Sequence, residues 1–281
     1  MKRLAPIALL AAGKVRDSFL RRAPVVKERL GPVRSSSYRL ASRISNILGA
    51  GFPVEHLDAF ASCGVILISS PEHSICGAIE ELAEAELDWK TKTVLLCNSA
   101  CDSEALRRLG EAGAATGSIT PVDGPDGRLY VAEGDRKAIA QARILVAAHG
   151  VKVIPMDHGR KSLYLAGVNF ATGLALPLLA ASVETLRATG VEQNDAVVIA
   201  ERLFQRTLRA YVKGGRRAWE GELVVKNQQA IRRQVRSLFE VSPHLAAYFF
   251  QNAMQAVKLF RQDPQWLKEL AEDAYPKAQG R

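Results

Sequence analysis

The stretch Leu30–Ile44, LGPVRSSSYRLASRI, joins a short apolar run over residues 25–30 to a segment with helical periodicity. A strand that runs through a glycine into a helix is where a dinucleotide-binding fold places its phosphate turn. The full fingerprint is G-x-G-x-x-G. Gly31 matches its first glycine, whereas Val33 and Ser36 stand at the second and third positions. The stretch therefore predicts a first strand over residues 25–30 that ends in a modified phosphate turn.

The predicted turn carries groups that suit an anionic ligand. The hydroxyls of Ser35 and Ser36 can donate hydrogen bonds, and Arg34 can add a charge-assisted bond to a phosphate. The turn itself would consist of Gly31, Pro32 and Val33, with the first helix over residues 35–48. The alternative is that the serines only cap this helix, because serine is a preferred N-cap residue.

Asp58 is a candidate for binding the ribose of a nucleotide. It ends a short segment that we interpret as the second strand, and a carboxylate in that place binds ribose hydroxyls in dinucleotide sites. The alternative is that Asp58 caps a short helix over residues 58–62. Asp58 favours NAD, whereas Arg34 and the serines would accommodate the 2′-phosphate of NADP, so the sequence leaves the two cofactors open.

The first 50 residues carry the net charge of the chain, with 11 Lys or Arg and 2 Asp or Glu against a total of +9. A basic segment around a phosphate turn favours an anionic ligand. No motif for nucleic-acid binding accompanies it, so we expect no nucleic-acid partner. Residues 4–22 predict a helix that ends before Pro24. A second interpretation of Ile7–Val15, as a strand that enters a glycine turn, ranks lower because no segment like a second strand follows at the right distance.

The remainder of the first half alternates buried strands with helices, which predicts a parallel α/β sheet. A continuous apolar run marks the strand over residues 64–69, and further strands are predicted over residues 93–97, 115–119, 129–132 and 151–155. After residue 157 only helical patterns follow. We predict an N-terminal basic helix (1–24), a Rossmann-like nucleotide-binding domain (25–157) and an all-α C-terminal domain (158–281).

Residues 162–183 carry no charged side chain, a length that would span a bilayer. Polar residues and a proline interrupt the stretch, so we favour a helix buried in a bundle or a dimer interface and expect no membrane partner. The four cysteines lack the C-x-x-C spacing of a zinc site, and the five histidines do not cluster, so no metal is predicted. Buried free thiols are typical of a cytoplasmic protein.

Six stretches resemble a family with a Rossmann-like domain followed by a helical domain of unknown function. That family is related to deazaflavin-dependent NADP oxidoreductases, pyrroline-carboxylate reductases and the 6-phosphogluconate dehydrogenase-like superfamily. The matching stretches are Leu30–Pro32, Val65–Pro71, Val94–Ser99, Gly117–Pro121, Glu133–Asp135 and Lys161–Tyr164. Where the family has histidines, this chain has Cys97, Thr120 and Leu165, and Gly173 replaces an asparagine.

The resemblance implies a cofactor, NADP or NAD, and a catalytic helix that begins at Lys161. By resemblance, Lys161 is a general acid, Asn169 anchors the substrate, and Tyr164 forms a hydrogen-bonding wall. Further cofactor contacts are implied for Ser69, Ser70, Pro71 and Ser99. The helical domain is expected to form a homodimer and to close the active cleft.

Three functions fit these patterns. The first is an NAD(P)-dependent oxidoreductase that passes a hydride to a small carbonyl or imine substrate. The second is a degenerate descendant that keeps the nucleotide or a regulatory role without turnover, as the replaced histidines favour. The third is a module that binds a partner through the basic residues 1–50.

Overall fold

The computed structural model describes residues 5–13, 15, 19–97, 100–122, 127–147 and 150–274. Of these, residues 271–274 are described by their backbone only. Ser99, for which a cofactor contact was expected, lies outside the described residues. The chain divides into two compact units, Met1–Val168 and Asn169–Arg281, rather than at residue 157. The division falls later because Lys161 is buried and interacts with charged groups of the first unit.

Within the described residues, the first unit holds one eight-stranded sheet in the order β3-β2-β1-β4-β5-β6-β7-β8. All neighbouring strands are parallel except β6 and β7. The strands are β1 (Ile7–Ala11), β2 (Leu30–Arg34), β3 (Phe52–Pro53), β4 (Val65–Ser69), β5 (Thr93–Cys97), β6 (Ala115–Pro121), β7 (Leu129–Gly134) and β8 (Lys152–Pro155). The predicted α/β class with a mostly parallel sheet is confirmed.

Helices cover both faces of this sheet. They are α1 (Pro24–Arg29), α2 (Tyr38–Leu48), α3 (Glu72–Ala83), α4 (Arg107–Glu111) and α5 (Arg136–Leu145), with 3-10 turns at Phe19–Arg21, Leu57–Phe60, Trp89–Thr91 and Ser103–Leu106. Successive side chains of a strand point to opposite faces. In β1, Ile7, Leu9 and Ala11 therefore join one core and Ala8 and Leu10 the other.

The N-terminal part of the prediction is wrong. Residues 7–11 form a central strand instead of part of a helix over residues 4–22, and Pro24–Arg29 is a helix instead of the first strand. Every residue of β1 is buried between two parallel neighbours, which requires a continuous apolar run. In α1 only Val26 is buried, and charged side chains occupy the last three positions of the helix.

The second unit is helical. Its helices are α6 (Lys161–Ala171), which begins in the first unit, α7 (Ala175–Ala188), α8 (Gln193–Gly214), α9 (Gln228–Val241), α10 (Pro243–Leu259) and α11 (Gln265–Ala274), with a 3-10 turn at Gly215–Ala218. The core of this unit lies between α9, α10 and α11, where Val235, Val257 and Leu267 are buried. The predicted all-α character of the C-terminal part is confirmed.

Helices α7 and α8 pack against each other but bury little. Helix α7 has no buried residue, and α8 buries only Ala196 and Ala200 among its described residues. One segment of the described chain, Lys161–Ala188, is long and apolar enough to cross a membrane by length and composition. An 18-residue window within it has a mean hydropathy of 1.6 and no buried residue. The sequence favoured a helix buried in a bundle or a dimer interface. Within one chain, helix α7 of this segment has no buried residue.

Candidate cofactor site and catalytic lysine

The strand order reverses between β1 and β4, so the crevice at the carboxyl ends of these strands is a topological switch point, where open α/β sheets bind ligands. The backbone amide of Ala12 donates a hydrogen bond to the carbonyl of Ser69 at 3.0 Å, which links the carboxyl ends of β1 and β4. Gly13 follows with φ of +72°, and a Cβ there would lie 2.7 Å from Cγ of Pro71. Glycine is required here both for its backbone angle and for this close approach.

Gly31 therefore does not form the phosphate turn. Gly31, Pro32 and Val33 lie inside β2, and Pro32 and Val33 are buried. Gly31 is not among the glycines with a positive φ, and a Cβ on it would find only ordinary contacts. The turn that corresponds to a dinucleotide fingerprint follows β1, where Gly13 stands.

Buried polar atoms without a hydrogen-bond partner concentrate at the carboxyl edge of the sheet. Among the described residues nine such side-chain atoms occur, and five of them belong to residues at strand ends or at the start of α6. The five are Arg34 Nε, Ser35 Oγ, Ser70 Oγ, Thr120 Oγ1 and Lys161 Nζ. Because a buried polar group normally finds a partner, this cluster fits a polar ligand that supplies the missing bonds.

Arg34 ends β2, the strand whose last residue selects between the two nicotinamide cofactors in doubly wound folds. Its Nη2 lies 3.0 Å from Oε1 of Glu81. Ser35 is buried, whereas Ser36 is exposed. Ser37 caps α2 by accepting a hydrogen bond from the amide of Leu40 at 3.2 Å, so the capping interpretation holds for that serine.

Asp58 does not end the second strand. It lies exposed in the 3-10 turn Leu57–Phe60, after β3. The place at the end of β2 where a carboxylate would bind ribose hydroxyls is taken by Arg34. Asp58 and Arg34 nevertheless line one groove of about 340 Å³.

Lys161 opens α6 and is almost fully buried, with 1% of its surface exposed. Burial lowers the pKa of its ammonium, because desolvation disfavours the charged form. The carboxylates of Glu133 and Glu72 act in the opposite direction through their negative charge, as do the thiols of Cys97 and Cys101 where they are ionised. Lys161 therefore lies near groups that follow β4 and β5, at the carboxyl edge that carries the other partnerless atoms.

Glu133 is a buried carboxylate whose charge raises the pKa of Lys161, yet its hydrogen bonds come from other residues. It accepts bonds from the amide and the hydroxyl of Ser103, both at 2.7 Å, and from the hydroxyl of Ser118 at 2.8 Å. The amide of Gly159 adds a longer bond of 3.4 Å. These bonds connect β7 to β6, to the 3-10 turn Ser103–Leu106 and to the turn before α6, the helix that carries Lys161.

The other two predicted catalytic residues differ in their surroundings. Tyr164 is half-buried, and burial raises the pKa of its phenol, which keeps the hydroxyl protonated. Asn169 is exposed near the end of α6. The roles of Tyr164 and Asn169 stay predictions.

Two serines and a proline follow or end β4, where the resemblance implied contacts with a cofactor. Ser69 is the last residue of β4, Ser70 has a buried hydroxyl without a partner among the described residues, and Pro71 contacts the Gly13 turn. The structure thus brings them to the switch point. No cluster of three potential metal ligands occurs in the described part of the chain.

A family described as a domain of unknown function (DUF2520) matches residues 129–256, from β7 to α10. No curated protein matches the chain. Among solved structures, a protein named as an NADP oxidoreductase from Bacteroides fragilis is 12% identical, covers 92% of this chain and 99% of its own, and has a TM-score of 0.66.

Two further structures share the fold over nearly the whole length. An imine reductase from Myxococcus stipitatus in complex with NADP+ is 14% identical, with 95% of this chain and 100% of that chain covered and a TM-score of 0.63. A pyrroline-5-carboxylate reductase from Coxiella burnetii is 16% identical, with 97% and 98% covered and a TM-score of 0.53. The chain has the two-domain, Rossmann-like fold of these oxidoreductases, as the sequence resemblance predicted.

Sequence reasoning missed Gly13, Thr120 and Glu133 as members of the candidate site. For Gly13 a signal existed, because Ile7–Val15 does read as a strand that enters a glycine turn. For Glu133 the signal was a single carboxylate at the end of the apolar strand Leu129–Ala132. A lone carboxylate there gives no indication of its four hydrogen bonds, which come from distant segments.

Proposed function

We propose that the chain binds NADP at the switch point of its sheet and reduces a small carbonyl or imine by hydride transfer. The observation that carries the proposal is the set of five partnerless buried polar atoms at this edge. The shared fold with NADP oxidoreductases and imine reductases supports it.

The residues at the edge fit a dinucleotide phosphate. The Gly13 turn would hold the pyrophosphate, because glycine allows the backbone amides to approach it. Arg34 and Ser35 would bind the 2′-phosphate, with the guanidinium contributing a charge-assisted bond. Ser70 and Thr120 offer hydroxyls near the ends of β4 and β6, where the rest of the cofactor and the substrate would lie.

When bound, a reduced nicotinamide supplies a hydride to the carbon of the carbonyl or imine. Lys161, as its ammonium, would donate the proton to the oxygen or nitrogen of that group. Its lowered pKa makes the ammonium a stronger acid than an exposed lysine, and a general acid with a pKa closer to the working pH is more effective. Tyr164, which keeps its proton, would hydrogen-bond the substrate.

Calorimetry with NADPH and NADH tests the proposal. Arg34→Ala should weaken NADPH binding by about ten-fold or more, as expected for a lost hydrogen bond to a charged group, and change NADH binding little. Arg39→Ala, which removes an exposed arginine of α2, is the matched control and should leave both affinities unchanged. Binding of neither nucleotide by the wild-type protein would contradict the proposal.

A second candidate function is nucleotide binding without turnover. Cys97 favours it, since this buried thiol, with its pKa raised to about 12 by burial, stands where the family that the chain resembles has a histidine. A panel of carbonyl and imine substrates separates the two functions. Turnover that Lys161→Met abolishes supports the reductase, whereas NADPH binding without turnover supports the second candidate.

We also propose that the protein is a homodimer in the cytoplasm, with the second copy on helices α7 and α8. A groove of about 750 Å³ runs between them, lined by apolar side chains such as Leu176, Val197 and Phe204 and by Glu184, Arg187 and Glu201 at its polar parts. The two helices also expose large apolar side chains, among them Leu178, Leu203 and Leu208. A stable interface buries about 800 Å² per partner.

A two-fold axis would place the same groove on both partners, so carboxylates of one copy could meet Arg187 of the other. Four free cysteines are consistent with the reducing cytosol.

A further inference from the structure

Arg34, the residue proposed to hold the 2′-phosphate, already has a carboxylate on its guanidinium. Nη2 of Arg34 lies 3.0 Å from Oε1 of Glu81, and the two side chains are 20% and 40% exposed. Nε of Arg34 is buried and has no partner among the described residues. One donor of the fork is thus taken, while another is left for a ligand.

Glu81 lies at an unfavourable place for its own helix. It belongs to the last turn of α3, where the partial negative charge of the helix end repels a carboxylate. That turn has no basic residue, and Glu84 follows directly at the cap. Local helix stability therefore does not explain a glutamate at this position, whereas the contact with Arg34 does.

The groove around the pair is acidic. It has a volume of about 340 Å³, and among the described residues Arg34 is the one lysine or arginine that lines it. The acidic residues that line it are Glu55, Asp58, Glu81, Glu84 and Glu86. A phosphate dianion that binds Nη2 of Arg34 must displace the carboxylate of Glu81 and lie in the field of the other carboxylates.

We infer that Glu81 is an internal competitor for Arg34 that sets the discrimination between NADP and NAD. The carboxylate occupies the guanidinium as the 2′-phosphate would, so binding of the phosphate exchanges one charge-assisted bond for another and gains less. A ribose with a free 2′-hydroxyl does not need Arg34 and gains or loses little. This inference rests on the proposed NADP site.

Glu81→Gln removes the charge and keeps the size of the side chain. Binding of NADP, of adenosine 2′,5′-bisphosphate, and of NAD and 5′-AMP as counterparts without the 2′-phosphate is measured by calorimetry. We expect the two 2′-phosphorylated probes to bind about three- to five-fold tighter, the upper effect of removing one competing surface ion pair, while NAD and 5′-AMP stay within about two-fold.

Glu84→Gln is the matched control, because it removes the same charge from the same groove without an ion pair to Arg34. It should tighten NADP binding by less than about two-fold, since salt screens exposed charges that do not touch. An equal gain in NADP affinity in both variants would overturn the inference, because the negative field of the whole groove, and not the ion pair with Arg34, would then weaken binding. Unchanged or weaker NADP binding by Glu81→Gln would overturn it as well, because Glu81 would then orient Arg34.

The wild-type titration distinguishes failure of the inference from failure of the proposed function. If wild-type protein binds NADP and Glu81→Gln does not tighten it, only the inference fails. If wild-type and both variants bind none of the four probes, the NADP site itself is wrong and the inference fails with it.

Discussion

Lys161 and Glu133 form a buried pair of opposite charges without a hydrogen bond between them. The carboxylate raises the pKa of the lysine through its charge, but accepts its hydrogen bonds from Ser103, Ser118 and Gly159. The lysine Nζ has no partner among the described residues. An ammonium that is buried, biased by a charge and still free to bind a ligand is the arrangement expected of a proton donor.

Substitution of two buried lysines by methionine should change the free energy of unfolding in opposite directions. Lys161→Met should stabilise the protein by about 1 kcal/mol or more, because it removes a buried polar group without a partner. Lys92→Met should destabilise it by a similar amount or more, because Nζ of Lys92 donates to the carbonyls of Phe60, Ala61 and Cys63. Urea unfolding at neutral pH measures both. Destabilisation by Lys161→Met would show that its amine has a partner.

The free energy of unfolding should also depend on pH through Lys161. Burial places the pKa of Lys161 in the folded state below its ordinary value of 10.5, so between the two values the unfolded chain binds more protons. Stability should therefore rise with pH across that window, and below it the full cost of the buried charge applies. Urea midpoints of Lys161→Met should lack this rise relative to wild type. Parallel pH curves for the two proteins would contradict the lowered pKa.

If the protein is a reductase, its rate should fall as pH rises through the pKa of Lys161, because the deprotonated amine has no proton to donate. Glu133→Gln removes a charge that raises this pKa, so the falling limb should move to lower pH. The pH profile of kcat/KM measures the shift. Glu104→Gln is the control, since Glu104 pairs with His158 at 3.0 Å and is not among the groups that act on Lys161. An unmoved limb in Glu133→Gln would exclude the coupling.

Gly13→Ala should cost more than Gly49→Ala, although both glycines have a left-handed φ, +72° and +66°. Each substitution pays about 1–2 kcal/mol for that conformation. At Gly49 a Cβ meets nothing within 4 Å, whereas at Gly13 it lies 2.7 Å from Cγ of Pro71. Only Gly13→Ala should also weaken NADPH binding. Chemical unfolding measures the loss of stability, and calorimetry measures NADPH binding. Equal losses of NADPH affinity in the two variants would remove Gly13 from the site.

The proposed dimer face can be tested by charge. Leu176→Glu places a carboxylate in the apolar groove between α7 and α8 and should convert the dimer to a monomer, because desolvating an unpaired charge is costly. Val225→Glu, at an exposed apolar residue outside these helices, should leave the dimer intact. Sedimentation equilibrium at micromolar protein measures both. A monomeric wild-type protein would refute the proposal, and partition of that protein into lipid vesicles would assign the apolar face to a bilayer.

The sequence alone determined the class of fold and most of its elements. Strands β4 to β8 and helices α8 to α11 follow from apolar runs and helical periodicity, because burial on both faces or on one stripe requires those patterns. The same patterns left the N-terminus ambiguous. Ile7–Ala11 and residues 25–30 are both short apolar runs, and local sequence cannot tell which of them lies in the middle of a sheet.

Only the tertiary structure decided which glycine forms the turn and which polar groups meet. Pairing of β1 with both β2 and β4 puts Gly13 at the switch point and leaves Gly31 inside a strand. Glu81 and Arg34 are far apart in the chain, as are Glu133 and Lys161, and no periodicity links them. The sequence could name Arg34 and Lys161 as chemically suited residues, because their charge is intrinsic. Their partners depend on how separate strands pair, which is set by long-range packing.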